Sequence, residues 1–244
     1  ADGNVYVGAE AAKDTTSGAS NVAIGKAAGR GITTSSNSVY IGALCGSAGN
    51  GHSNVGIGNQ ALESGSHGNS NVAIGWSAGE ALTGEQNVWI GAEAGRNATS
   101  ADQNTCVGYV AGGAATMTGD DNTFIGANAG EDCVGAAECT AVGRHALGNI
   151  TSGNYNVAIG RNAGRLINSG AHNVAIGYDA GARITGNGDN TVVGNYAMGR
   201  YDGARNTAVG YQCLYGASGG GGSDNVAVCL LYTSDAADDS LRVD

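Results

Sequence analysis

Proline is absent from this 244-residue chain, and phenylalanine occurs once. With no proline, collagen and polyproline architectures are excluded. Aromatic residues make up only 5% of the chain, so any core has to be thin and built from Val, Ile, Ala and Leu. Charged residues are scarce too, at 13%, while 41% are hydrophobic; that balance does not suit a disordered chain. No apolar run approaches the roughly 20 residues of a membrane-spanning helix, so no membrane insertion is expected. The opening Ala1-Asp2-Gly3 does not read as a signal peptide. Eleven Lys and Arg stand against 21 Asp and Glu, and a net charge of −10 weighs against non-specific nucleic-acid binding.

What the chain has in abundance is glycine, 45 residues, and one returning pentapeptide. Asn21-Val22-Ala23-Ile24-Gly25 recurs as SVYIG at Ser38, NVGIG at Asn54, NVAIG at Asn71 and NVWIG at Asn87. It continues at Asn104, Asn122, Cys139, Asn156, Asn173, Asn190 and Asn206, with a first copy at Asn4 and a last one, lacking its glycine, at Asn225. The closing glycines are spaced 16 to 18 residues apart throughout. A fixed short period is the signature of a stacked repeat, which makes the chain one array rather than one or two ordinary domains.

One period supplies one coil. Val157 and Ile159 lie two apart and share a strand face. Gly160 turns the chain, Leu166 and Ile167 form a second apolar site, and Ser169-Gly170 make the next corner. The reading is an all-β parallel β-solenoid (β-roll) of about 13–14 coils, with two short strands and two corners per coil. Strands stacked about 4.8 Å apart would build a rod on the order of 60 Å long. The motif asparagines, Asn21, Asn54, Asn71, Asn87, Asn104, Asn122, Asn156, Asn173, Asn190 and Asn206, are expected to stack as a ladder of mutually bonded amides, interrupted at Ser38 and Cys139.

The residue between the Val/Ile pair is never charged and never an amide. A strand apolar on both sides is normally covered on both sides. This places the Val/Ile pairs inside the coil and makes Ala23, Tyr40, Ala73, Trp89, Phe124, Ala158, Ala175 and Ala208 the proposed interchain face of a homo-oligomer.

No chemistry-bearing constellation stands out, and neither a catalytic group nor a cofactor is expected. The histidines His52, His67, His145 and His172 fall at different phases of the repeat and should not converge on a metal. Cys45, Cys106, Cys133, Cys139 and Cys213 contain no C-x-x-C; Cys133 and Cys139 could pair locally or remain small buried thiols. Glu80, Glu85 and Glu93 sit in adjacent coils at differing phases, which does not suit a glycosidase carboxylate pair. Asp121, Asp189 and Asp224 precede the motif asparagine in too few coils for a regular calcium ladder. Thr105, Thr123, Thr140, Thr191 and Thr207 are too intermittent for an ice-binding row. Exposed rings at Tyr178, Tyr196, Tyr201 and Tyr211 would suit a carbohydrate- or calcium-dependent adhesin.

The NVAIG motif followed by small residues resembles the heads of trimeric autotransporter adhesins, which are left-handed parallel β-rolls. Arrays such as Asn206 to Tyr215 (NTAVGYQCLY) also resemble phage tail-fibre-like proteins. The resemblance covers residues 1–228 and implies a trimeric, fibrous, extracellular protein at a virion or bacterial surface. It implies a shaft or head that supports attachment to a host receptor or glycan. Residues 229–244, beginning Cys229-Leu230-Leu231-Tyr232-Thr233-Ser234, resemble a translated sequencing adaptor and are set apart from the array as an unstructured scar. The array then reads as a fragment of a longer protein, with a net charge of −7 from ten Lys and Arg and seventeen Asp and Glu.

Overall fold

The computed structural model describes residues 3–216 and 222–228. The expectations for residues 229–244 lie outside the described residues. Fourteen three-residue strands, from β1 (Val5–Val7) and β2 (Val22–Ile24) to β14 (Val226–Val228), form one parallel sheet whose order follows the chain. The register pairs each motif residue with its counterpart one coil on, Val22 with Val39, Ala23 with Tyr40 and Ile24 with Ile41. There is no helix among the described residues. The chain is an all-β parallel solenoid of stacked coils.

Each coil holds one strand, not the two expected. After the closing glycine the backbone takes left-handed φ at alternate residues: +134° at Gly25, +54° at Ala27 and +58° at Gly29. Three overlapping turns follow, Ala28 N–H to Gly25 O at 3.3 Å, Arg30 to Ala27 at 3.3 Å and Ile32 to Gly29 at 3.2 Å. The intervening amides reach other coils, Ala27 N–H to Ala9 O and Gly29 N–H to Cys45 O, both at 2.8 Å. Alternating backbone hand bends the chain while leaving every second amide directed along the rod. The turn run buries Ala27, Ala28 and Ile32 while Lys26 and Arg30 stay exposed, and a short apolar site such as Leu166-Ile167 does not by itself distinguish such a run from a strand.

The sheet faces the opposite way from expectation. Ala23, Tyr40, Ala73, Trp89, Phe124, Ala158, Ala175 and Ala208 are all 0% exposed within the single chain. They are the core, so they cannot form an interchain face. The flanking Val, Thr and Ile residues point outward instead. Small and large middle residues alternate irregularly because they fill one shared interior with the turn run. Alanines such as Ala28, Ala78 and Ala94, together with Ile32, Leu82 and Ile167, complete that interior, while Leu166 is only half-buried.

The bulkiest middle residues face glycine. The three large rings, Tyr40, Trp89 and Phe124, each lie against a glycine of their own coil, Gly46, Gly95 and Gly130, where an added methyl would overlap the ring. Where the middle residue is Gly56, Ala141 or Val192, the position facing it is Leu62, Leu147 or Met198. The Trp89 indole N–H has no hydrogen-bond partner, so packing alone holds that ring. His67 fills the space over Gly49, and its Nε2 lies 2.9 Å from Leu62 O. Burial pushes its pKa down from 6.5 to about 4. The five described cysteines are buried, and Cys45, Cys106, Cys133 and Cys139 are free thiols, so Cys133 and Cys139 are not paired. Burial raises the Cys45 and Cys133 thiols to about 12, which leaves them unreactive.

The closing glycine is set by stacking. At Gly75 φ is +139°, a region closed to residues with a side chain, and a Cβ would run into the Gly91 carbonyl of the next coil.

Two outcomes are expected. Gly95→Ala drives a methyl into Trp89 and should cost about 1–3 kcal/mol, read as a shift in the emission of the buried Trp89. His67 favours the neutral form in the fold, so its contribution is present above pH ~6.5 and is lost as the pH falls towards ~4. Acid unfolding of His67→Leu should lack the part of the pH dependence that lies in that window.

Candidate functional site

The candidate site is the outer face of the sheet. Each of the fourteen strands presents two outward side chains, and all 28 are Val, Ile or Thr. They form two columns along the rod with no charge in either. Their exposure is greatest at the two ends, 79% at Val226 and 55% at Val7, and Ile24, Ile57, Ile125 and Ile159 lie near 40%. At roughly 40 Å² each, the columns present on the order of 1,000 Å², above the roughly 300–600 Å² of a typical monomer's largest apolar patch. The five threonines Thr105, Thr123, Thr140, Thr191 and Thr207 all belong to the first column.

The asparagine ladder lies inside, at the entrance to each strand, and all ten predicted asparagines are buried. Each Oδ1 accepts the backbone N–H of the ladder residue one coil on; Asn87 Oδ1 takes Asn104 N–H at 2.9 Å. In most coils the amide donates across to the next coil's backbone, as Asn87 Nδ2 does to Ala101 O at 2.7 Å and Asn122 Nδ2 to Ala136 O at 2.8 Å. Amide-to-amide bonds occur as well, for example Asn173 Nδ2 to Asn156 Oδ1 at 3.0 Å.

Ser38 with Ser35 repairs one interruption fully, and Cys139 restores the donor at the other. At Ser38 the hydroxyl accepts Asn54 N–H at 3.2 Å, and Ser35 Oγ supplies the missing donor to Gly51 O at 2.6 Å. Two serines together thus replace one asparagine. Cys139 donates its thiol to Gly153 O at 3.3 Å.

A second ladder, not legible from the motif, runs two residues earlier on the exposed corner. Here a backbone N–H is accepted by a side chain of the following coil: Ala19 by Ser36 at 3.1 Å, His52 by Asn69 at 2.8 Å, Glu85 by Asp102 at 2.7 Å and Ala137 by Asn154 at 2.9 Å. Its direction is opposite to that of the inner ladder. Its residues vary in type, which hides it in the sequence.

The remaining candidates are scattered or engaged. Among the described residues no three His, Cys, Asp or Glu converge as metal ligands. Glu80 and Glu93 both bind Arg96, at 3.2 and 3.1 Å, and Glu85 accepts from Asn69 Nδ2 at 2.9 Å. Tyr178 and Tyr196 meet edge to face at 5.1 Å, and Tyr211 and Tyr215 each lie 6.3 Å from Tyr196. Tyr201 stands apart, its hydroxyl accepting from Asn225 Nδ2 at 3.1 Å. Tyr215 belongs to this cluster although its place in the repeat differs from that of the others.

Comparison with protein-family models, with curated proteins and with solved structures gives no match.

Asn87→Ala strands a buried N–H and a buried carbonyl, which should cost about 3 kcal/mol at roughly 1–3 kcal/mol per group. The Asn104 amide should then exchange roughly a hundredfold faster. Asn87→Ser retains the acceptor, as Ser38 does, and should show less than half of that free-energy loss.

Proposed function

We propose that the chain is a shaft or head segment of a fibrous surface or virion protein, a tail fibre or adhesin, and that it assembles as a homotrimer. One observation carries this reading: an uncharged, β-branched face continuous over fourteen strands. About 800 Å² per partner is what a standard stable interface buries, and the two columns supply that much. Left bare, such a face would be an open template for aggregation. Further copies of the same rod, each with the same columns at the same coil spacing, are the natural cover. The interchain contact therefore moves from the middle row to the columns on either side of it.

The role is mechanical. Coil-to-coil hydrogen bonds and short corners make a stiff rod on the order of 60 Å long by the strand spacing, suited to holding a receptor-binding part away from a virion or bacterial surface. The motif's resemblance to adhesin heads and tail-fibre-like proteins supports the trimer and the extracellular location.

Sedimentation equilibrium of the chain should return three times the chain mass. Ile74→Lys with Ile90→Lys places charges in the second column, outside the core. This variant should sediment as a monomer while keeping the β circular dichroism signal. A parent chain that is monomeric at high concentration would overturn the fibre reading.

A further inference from the structure

The charge of this chain is unevenly placed. Between residues 144 and 200 there are five arginines and two aspartates, a local +3 in a chain of −10. Glu131, Asp132 and Glu138 precede this stretch, and Asp202 and an Arg205–Asp224 pair follow it. The repeat brings three of the arginines, Arg165, Arg183 and Arg200, from successive coils to one groove of about 340 Å³. That size lies within the usual range of small-ligand sites, roughly 300–1,000 Å³. The groove is on the turn run, around the glycine corner from the Val/Ile columns.

Aromatic rings border the arginines. Tyr196 and Tyr215 line the groove and meet edge to face. The Arg200 guanidinium lies 5.5 Å over the Tyr215 ring, which holds it extended with its N–H groups available. Among the described residues no ion pair closes on Arg165 or Arg200. Ala182 and Gly199 leave the floor low, and a side chain at Gly199 would crowd Tyr215 Cε2 at 3.0 Å. Asp179 and Asn162 complete the lining, joined by an Asn162 Nδ2 to Asp179 Oδ1 bond of 2.8 Å.

We propose that this groove binds a short anionic oligosaccharide. Sugar rings have apolar C–H faces that pack on tyrosine, carboxylate or sulfate groups pair with guanidinium forks, and hydroxyls suit an Asn–Asp pair. An extended polyanion such as nucleic acid fits less well, because it needs a continuous basic track and Glu131, Asp132 and Glu138 end this one on its N-terminal side. The groove is built by the coils of one chain, so the proposal stands or falls independently of the oligomeric state.

The experiment is direct binding to the intact chain by calorimetry, with four probes: a sialic acid oligomer (carboxylate only), a heparin oligosaccharide (sulfate-rich), neutral dextran and a thymidine oligonucleotide. At least one acidic sugar should bind and dextran should not. The sialic oligomer alone would assign carboxylate recognition, heparin alone sulfate, and both a general anionic-sugar site. Arg165→Ala with Arg200→Ala should weaken binding by about tenfold or more. Tyr196→Asn removes a ring while suiting the local φ of +59°, and it should weaken binding about fivefold. Arg144→Ala makes the same kind of charge change in the same stretch but outside the groove, and should stay within about twofold. No acidic sugar bound at millimolar probe would overturn the proposal. So would equal loss in Arg144→Ala and the double arginine variant, which would mark a diffuse field, or tighter binding of the oligonucleotide.

Discussion

Every feature of this molecule depends on stacking each coil in register on the one before it. The strand bonds, the inner asparagine ladder and the outer ladder all run parallel to the rod, so each coil is completed only by its neighbours. A single coil of 16 to 18 residues buries too little to stand alone. The buried asparagine has the strictest role. It closes one backbone amide of the next coil and, in most coils, one carbonyl, both out of reach of water. That explains why so polar a residue sits at the edge of a thin apolar core, and why its replacements are groups that can still accept or donate.

In-register stacking also dictates what the surface can be. When each coil repeats the last, any outward position becomes a column, and a preference at one position becomes a property of a whole face. The β-branched columns and the arginine-tyrosine groove arise in this same way. The first is uniform along the rod. The second is confined to a few successive coils.

The coil count, the parallel in-register sheet and the position of the ladder were legible in the sequence, because the motif repeats with so little variation. The direction of the strand was not. Ala-rich middle positions and Val/Ile flanks are both apolar, and alternation alone does not say which side faces the interior. The rings at Tyr40, Trp89 and Phe124 each press on the glycine six residues on, but Gly29, Gly79 and Gly164 stand six residues after alanines too, so that pattern alone does not mark a shared interior. The second strand of each coil was misread because a short apolar site such as Leu166-Ile167 does not distinguish a strand from a run of turns with alternate left-handed residues.

The sequence by itself determined that this chain is a stacked array, since a fixed period joined to a buried amide has few other solutions. Only the tertiary structure decided which side of the strand is the core, because that choice rests on volumes contributed by different parts of the coil. It alone brought Arg165, Arg183 and Arg200 together with Tyr196 and Tyr215. These residues are up to 50 positions apart in the chain, and only the coil repeat sets them side by side.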